Sequence, residues 1–481
     1  MRLRDLFPEA AADVEITGLT ADSRRVKPGF LFAALKGVAA HGRDFVEKAK
    51  ASGAVAVLSA GDLGFDPGVP HVIAPEPRAA FALAASAFYP RRPGTIVAVT
   101  GTNGKSSTVD FLRQIWMHAG KEAASLGTLG SITSRGVVDL GHTTPDPVAI
   151  HETLQTLADQ GVTHAAMEAS SHGLEQHRVD GLTFDAGAFT NLTQDHLDYH
   201  VDMASYREAK QKLWVRVKAG GVAVINADAG EAPAFEKAAT QRGLQLVLCG
   251  WRAPRANALK IVEIAPRPNA QSLTLSWNEH EAQVELPLIG EFQALNAVCA
   301  AALALSLGER PEAVWAGMAK LKPVKGRIEH VGATKEGAHV FVDYAHTPDG
   351  LDVLLRAARP HAPGRVIVVF GCGGDRDAGK RPKMGAIAAR HADVVIVTDD
   401  NPRSEEPAAI RAQVIAGAQS IDSSATEIGD RGEAIRAGVA MLRAGDALLI
   451  AGKGHETGQI IKGVVHPFAD QDVARSALGL A

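Results

Sequence analysis

Cysteine is scarce and scattered in this chain. Cys249, Cys299 and Cys372 are its only three, odd in number and far apart, which points to neither a disulfide frame nor a zinc site. Long apolar runs are missing too: the longest, residues 297–305, is far shorter than the ~20 residues a membrane helix needs. The opening MRLRDLFPEA has no apolar core of the kind a secretory signal carries, so a cytoplasmic protein is expected. Nor is there a charge excess. Lys and Arg number 50 against 54 Asp and Glu, a net charge of −4, so no broad field draws the chain to nucleic acid or to a membrane. There is no internal repeat and no low-complexity tract. At 481 residues the chain is too long for one core, and two to four domains are expected.

What is present is organised around residues 95–120, TIVAVT-GTNGKSS-TVDFLRQIWMHAG. Ile96, Val97, Ala98 and Val99 form a short apolar run, as a parallel strand covered on both faces should. Val109, Leu112, Trp116 and Ala119 recur at helical spacing, with Gly120 as the stop. Between the two, Gly101 and Gly104 allow backbone N–H groups to face an anion at the helix N-terminus. Lys105 adds a point charge for terminal phosphates, and the Ser106 hydroxyl is a ligand for Mg²⁺. The loop G-T-N-G-K-S is a shortened phosphate-binding loop, with Val99 where the longer pattern has glycine. An ordinary glycine turn is the alternative, and Lys-Ser at the helix entry argues against it.

Residues 1 to about 90 read as a small α/β unit, with strands at 30–35, 54–59 and 71–74 and helices near 45–51 and 78–88. Ser23, His41 and Arg43 are candidates for a pocket at strand ends, though a solvated loop explains them more simply. YPRRPG at 89–94 has the composition of a linker. In the next unit, THAAMEAS ends on Glu168, followed by Ser170, Ser171 and His172. FDAGAFTN leads into LTQDHLDYH, which carries Asp195, His196, Asp198 and His200. Strand ends cluster in open parallel sheets, so Glu168 and His196 are expected at the phosphate loop. A carboxylate there suits Mg²⁺; the Asp/His cluster reads equally well as solvated surface. MASYREAKQKLW reads as a helix bearing Lys210, by itself an unremarked surface lysine.

PVKGRIEH at 323–330 marks another junction. Beyond it the strands HVFVDY, RVIVVF, DVVIVT and ALLIAG alternate with helices, and each is followed by a polar cluster: AHTPD, GCGGDRDAGKRP, DDNPRSEEP and GKGHE. A doubly wound sheet binds its ligand at such strand ends. Arg376 and Arg403 supply guanidiniums for carboxylates, and Asp400 and Glu456 could hold ammonium groups. Both signs together suit a zwitterion, although a surface ion-pair network could explain any one of these charges.

The strings TGTNGKSST, MEASSHGLEQHRV, NLTQDHLDYH, VDYAHTPD, DDNPR and GKGHE occur in this order. With the N-terminal DSRRVKPGFLFAALKG, they make the chain resemble the Mur ligase family over nearly its whole length. The resemblance implies an α/β protein of three domains. A small N-terminal α/β domain, residues 1–92, holds the UDP end of the substrate. A central P-loop ATPase domain with a mainly parallel sheet spans 93–325, and a Rossmann-like doubly wound domain for the amino acid spans 326–481.

By the same resemblance, Gly101, Thr102, Asn103, Gly104, Lys105, Ser106 and Ser107 form the ATP-phosphate loop. Ser106, Glu168 and His196 surround Mg²⁺. Lys210 matches a lysine that CO₂ converts to a carbamate (N6-carboxylysine), an anion able to ligate a cation as an ammonium cannot. Asn296, Asp343 and His346 match nucleotide contacts, and Arg327 a junction residue able to reach the γ-phosphate on domain closure. Ser23 matches a uridine-diphosphate contact; Thr143, Thr144, Ser170, Gln176 and Arg178 match contacts to the muramoyl-peptide. Asp400, Asn401, Pro402 and Arg403 match the signature of the diaminopimelate-adding branch, with Arg376, Gly452 and Glu456 as further amino-acid contacts. His142 departs from the Asn common among relatives, and Ser106-Ser107 stand where many carry threonines.

The activity implied is ATP-dependent addition of meso-diaminopimelate to the D-glutamyl γ-carboxylate of UDP-N-acetylmuramoyl-L-alanyl-D-glutamate in peptidoglycan synthesis. ATP first converts the carboxylate to an acyl phosphate, the amine then attacks, and domain closure keeps water out. Expected partners are small molecules alone, with no nucleic acid and no membrane, and a monomer is expected. Two alternatives remain open. One is a related ligase with another acceptor, such as lysine, or a folylpolyglutamate synthase, against which DNPR and the N-terminal segment argue. The other is a nucleotide-dependent scaffold that has lost catalysis, against which Lys105, Glu168, His196 and Lys210 argue.

Overall fold

The apolar run at 96–99 is strand Thr95–Thr100 in the computed structural model, which describes residues 1–37, 40–193, 199–421 and 424–480. The strand lies between His164–Glu168 and Phe184–Phe189, parallel to both. Ile96, Val97, Ala98 and Val99 are fully buried, so neither face needed polar residues and the sequence shows no alternation. Val217–Asn226 and Gln245–Gly250 extend the sheet on one side, again in parallel. Ala123–Gly127 extends it on the other before an antiparallel edge of Gly130–Thr133 and Gly136–Val138. Helix Lys105–His118 packs Val109, Phe111, Leu112, Ile115 and Trp116 into the core, and Gly120 follows it at φ +82°.

The chain separates into two compact units, Met1–Leu259 with Cys299–Gly317, and Lys260–Val298 with Met318–Ala481. The first also contains a parallel sheet of Gly18–Thr20, Phe30–Ala33, Ala54–Ser59 and His71–Ile73. Helices Val46–Ala51 and Pro77–Phe88 cover it. The strand expected over 30–35 ends at Ala33, because the chain turns there to bring Gly42 N–H onto the Leu35 carbonyl. The helix expected over 203–214 breaks at Lys212 into Met203–Gln211 and Leu213–Arg216.

In the second unit the strand order is Glu329–Ala333, His339–Asp343, Ala447–Ala451, Val366–Phe370, Val394–Val397, Thr426–Glu427. All pairs are parallel except the first. Helices Pro348–Ala358, Lys380–His391 and Pro407–Gln419 bury their apolar residues on one face. Arg431–Ala440 and Asp470–Ala477 do so on the other. This is the doubly wound α/β arrangement, with the order reversing around Ala447–Ala451. Ligand sites in such sheets lie at the carboxyl ends of strands flanking that reversal. Among the described residues no helix is long and apolar enough to cross a membrane.

Candidate active site

The phosphate loop is held open by the end of a neighbouring strand. Gly101 has φ +150°, and a Cβ there would fall 1.9 Å from Thr190 Oγ1. Thr190 Oγ1 donates to the Asn103 carbonyl at 2.6 Å, and the Asn191 side chain accepts from Asn103 N–H at 2.9 Å while donating to its carbonyl at 3.1 Å. Gly104, at φ +85°, starts the helix at Lys105. The first N–H groups of a helix have no acceptor within it, and the helix dipole favours an anion there. Lys105 Nζ lies across the loop, donating to the carbonyls of Gly101 (3.0 Å) and Thr102 (2.8 Å). Ser107 turns into the core.

Glu168, at the end of its strand and fully buried, receives the Ser106 hydroxyl at 2.8 Å and the Thr128 N–H at 2.8 Å, both on Oε1. A hydroxyl and a carboxylate oxygen at this spacing are hard ligands of the kind Mg²⁺ takes. Lys210 is 1% exposed. Its Nζ donates to the Gly101 carbonyl at 2.8 Å and stands 4.4 Å from the centre of the Tyr206 ring. The Tyr206 hydroxyl is 3.2 Å from Thr102 Oγ1. His196, with Asp195 and Asp198, lies outside the described residues; His200 is buried, its ring 5.0 Å from that of Tyr206.

Beside Glu168 is a second cluster. Thr144 Oγ1 donates to the Glu168 carbonyl (3.0 Å) and accepts from Ser170 N–H (3.1 Å). Arg178 donates to the Thr144 carbonyl (2.7 Å) and to Gln176 Oε1 (2.8 Å). Burial, with Arg78 nearby, lowers the Arg178 pKa from its ordinary value. Thr143 Oγ1 meets Thr128 Oγ1 at 2.9 Å, while His142 is exposed. Thr143, Thr144, Ser170, Gln176 and Arg178 are thus one patch, continuous with Glu168. Ser23 is half-buried on the loop after Gly18–Thr20 and shares no hydrogen bond with them. His41 caps the turn Gly42–Phe45 by accepting Arg43 N–H, which accounts for it locally.

The second unit gathers the remaining candidates. Asp343 is buried at a strand end and accepts Ile328 N–H and Ala345 N–H, each at 2.7 Å. Burial raises its pKa, opposed by Arg327 and those two N–H groups. The Arg327 guanidinium stands 5.0 Å from the Tyr344 ring centre. Gln293 links the Arg327 carbonyl to Asn296, and the His346 ring is 4.5 Å from Tyr344.

At the adjoining strand ends, Arg403 adopts φ +53° and donates to the Gly374 carbonyl at 2.7 Å. Its backbone pairs with Ile460 and Lys462. Buried Pro402 precedes it. Asp400 accepts Asn401 N–H at 2.7 Å, and a Cβ at Gly452 would meet Asp400 Oδ2 at 2.8 Å. Asn401 Nδ2 donates to Glu456 Oε2 at 2.9 Å. Arg376 is exposed.

Three groups escaped the sequence reading. Lys453, with no side-chain exposure, donates to Glu456 Oε2 (2.9 Å) and Asn401 Oδ1 (3.2 Å). Arg431 and Asp470 form a fully buried bidentate pair, both contacts 2.7 Å, and Arg431 also donates to the Ala451 carbonyl. Arg381, 1% exposed, joins Glu405 to the Gly373 carbonyl. The lysine of GKGHE stood inside a string already noted; the two arginines left no local signal.

Three family models match this chain: the Mur ligase family catalytic domain over residues 15–89, the Mur ligase middle domain over 99–304, and the Mur ligase glutamate ligase domain over 326–454. A UDP-N-acetylmuramoyl-L-alanyl-D-glutamate–2,6-diaminopimelate ligase of Caulobacter vibrioides is 49% identical, over 98% of this chain and 97% of its own. The chain belongs to the Mur ligase family. A Bradyrhizobium diazoefficiens Mur ligase of the same name is 48% identical over 99% of both chains. A solved structure of a ligase so named superposes with a TM-score of 0.77 at 34% identity, covering 100% of this chain and 99% of the other. The Mur ligase fold also aligns with MurF of Thermotoga maritima in complex with ADP, with a TM-score of 0.63 at 18% identity, covering 91% and 94%. At that identity the likeness is one of fold.

Proposed function

We propose that this Mur ligase adds meso-diaminopimelate to the D-glutamyl γ-carboxylate of UDP-N-acetylmuramoyl-L-alanyl-D-glutamate, using ATP. The observation that carries the reading is end-to-end identity near one half with relatives so named. The set Asp400, Asn401, Arg403, Gly452 and Glu456 at the strand ends of one sheet supports the choice of amino acid. We assign the UDP end to residues 1–92, ATP to 93–325 and the amino acid to 326–481, a division supported by the spans of the three family models. A cytoplasmic monomer suits a reaction among three small molecules.

Lys105 and the helix N-terminus hold the terminal phosphates of ATP and stabilise charge on the transferring phosphoryl group. Ser106 and Glu168 hold Mg²⁺, with His196 as the third candidate; the cation supplies charge neutralisation at the phosphates. Thr143, Thr144, Ser170, Gln176 and Arg178 seat the muramoyl-peptide beside Glu168, and Ser23 contacts its UDP end. Asp343, Asn296 and His346 bind the nucleoside end, and Arg327 serves the γ-phosphate. Once the γ-carboxylate is an acyl phosphate, Arg403 and Arg376 hold the amino acid by its carboxylates while its amine attacks and phosphate leaves. Lys210 acts as a carbamate, as the family resemblance implies; its amine reaches the Gly101 carbonyl of the phosphate loop.

Phosphate release from ATP, measured with each candidate amino acid and with or without UDP-muramoyl-dipeptide, tests the assignment. Release should require both the UDP substrate and meso-diaminopimelate. Equal release with L-lysine, or release without the UDP substrate, overturns it.

A further inference from the structure

Lys453 is a fully buried cation of the acceptor pocket, and none of the assignments above uses it. Its side chain has no exposure, and its Nζ meets side chains from two directions: Asn401 Oδ1 at 3.2 Å and Glu456 Oε2 at 2.9 Å. Asn401 Oδ1 also accepts Ile460 N–H at 2.9 Å, and Asn401 Nδ2 donates to Glu456 Oε2 at 2.9 Å. With two donors on its oxygen and a carboxylate at its nitrogen, the amide has one orientation. Both of these donors to Glu456 fall on Oε2.

Charge points the same way. Around Asp400 and Glu456 stand Arg376, Arg403, Lys453 and Arg431, the last paired with Asp470, so Lys453 adds one positive charge to the site. The reacting form of meso-diaminopimelate has one free amine, one ammonium and two carboxylates, hence one anion in excess. The reacting form of lysine is neutral. Without Lys453 the site would carry one positive charge less and would discriminate less against the neutral acceptor.

We propose that Lys453 is a positioning and specificity-determining residue of the acceptor site. It fixes Asn401 and Glu456 in one donor–acceptor arrangement and supplies a buried positive charge that a dicarboxylate amino acid meets. This rests on the acceptor assigned under Proposed function. The groups facing Glu456 are Lys453, His455, Tyr344 and Arg431. Burial pushes the Glu456 carboxyl up, and the hydrogen bonds from Lys453 and Asn401 outweigh it, holding the group below its ordinary value. Removing the lysine takes away two of the contributions that oppose burial, while Asn401 and His455 remain, so Glu456 takes up a proton at a higher pH than in wild type.

The test compares wild type, Lys453→Met and Lys453→Met/Glu456→Gln in full steady-state kinetics between acid and alkaline pH, with melting temperatures alongside. In Lys453→Met the KM for meso-diaminopimelate should rise on the order of thirtyfold or more. The KM for ATP and for the UDP substrate should hold, the preference over L-lysine should shrink, and the KM for the amino acid should worsen further as pH falls. The double variant should lose that pH dependence, having no carboxyl to titrate. An unchanged KM for meso-diaminopimelate, or a loss confined to kcat with an unaltered pH profile, overturns the inference. Should Lys453→Met fail to fold, the double variant decides. Recovery of the fold with a weakened amino-acid KM supports the inference, and failure of both marks Lys453 as a structural strut and ends it. Wild type that ignores meso-diaminopimelate sinks the Proposed function and this inference with it; wild type that uses it beside an unaffected Lys453→Met sinks the inference alone.

Discussion

Lys105 and Lys210 donate to the same acceptor, the carbonyl oxygen of Gly101, at 3.0 and 2.8 Å. They reach it from opposite origins, Lys105 from the helix that follows the loop and Lys210 from a helix 109 residues away. The shared carbonyl ties the two lysines to one point of the phosphate loop. Under the proposed function, Lys105 meets a terminal phosphate of ATP and Lys210 works as a carbamate.

Lys210→Ala should therefore be nearly inactive while keeping the KM for ATP measurable, and a short carboxylate such as formate or acetate should restore part of the rate. Lys210→Arg, which keeps the positive charge and cannot form the carbamate, should stay inactive and resist rescue. The check is initial rate against added carboxylate for both variants. Wild-type rates in Lys210→Arg would show that the ammonium itself is the working form.

Lys105→Ala removes the charge aimed at the transferring phosphoryl group. Loss of such transition-state stabilisation costs on the order of a hundredfold in rate or more. Lys105 donates to two loop carbonyls outside the core, and the melting temperature should change little. Near-normal turnover would end the assignment of the phosphate loop.

Stability should fall on the acid side because of His151. The ring is buried, with Nε2 3.2 Å from the Asp180 carbonyl, and burial lowers its pKa from 6.5 to about 4. The unfolded chain takes up a proton near 6.5 while the folded one waits until about 4, so the unfolded state binds more protons in that window. Stability is full above that window and falls as pH drops through it, by roughly 3 kcal/mol from this residue. His330, also lowered to about 4 by burial, adds to the wild-type slope. Chemical denaturation of wild type and His151→Gln at pH 7.5 and 4.5 isolates the His151 share. Equal slopes in the two proteins would exclude it.

The fold was legible where one stretch carries its own instructions. Residues 96–99 are apolar without a break because parallel neighbours cover both faces, and Lys105-Ser106 stands at the helix entry because a phosphate site needs it there. The four C-terminal strands were readable for the same reason, each ending in a polar cluster. Strands Val217–Asn226 and Gln245–Gly250 were passed over, although residues 222–225 and 246–249 are short apolar runs of the same kind. The site residues that escaped have partners distant in sequence, although Lys453 also pairs with Glu456 three residues on. Asp470 is 39 residues from Arg431, and Asn401 is 52 from Lys453. A buried ion pair has no periodicity; only folding reveals that an arginine faces an aspartate instead of water.

The sharpest prediction separates this ligase from its lysine-adding relatives. Diaminopimelate differs from lysine by one carboxylate at the far end of the side chain. Arg403 presents a planar fork that can take a carboxylate through two charge-assisted hydrogen bonds. One of its NH groups donates to the Gly374 carbonyl, which fixes the plane of the guanidinium, and the φ of +53° commits the backbone to that direction. Lysine leaves the guanidinium without its anion, and losing one partner of a desolvated charged pair costs about 2–5 kcal/mol. Wild type should prefer meso-diaminopimelate by a large factor in kcat/KM. Arg403→Ala should lose most of its activity with diaminopimelate and much of that preference, with the KM for ATP and for the UDP substrate unchanged. It should not become an efficient lysine ligase, because removing a cation builds no contacts for the shorter acid. The two amino acids compete in one reaction, and the product ratio is read for each enzyme. Equal use of both by wild type, or an unaltered ratio in Arg403→Ala, would take away the role given to this guanidinium.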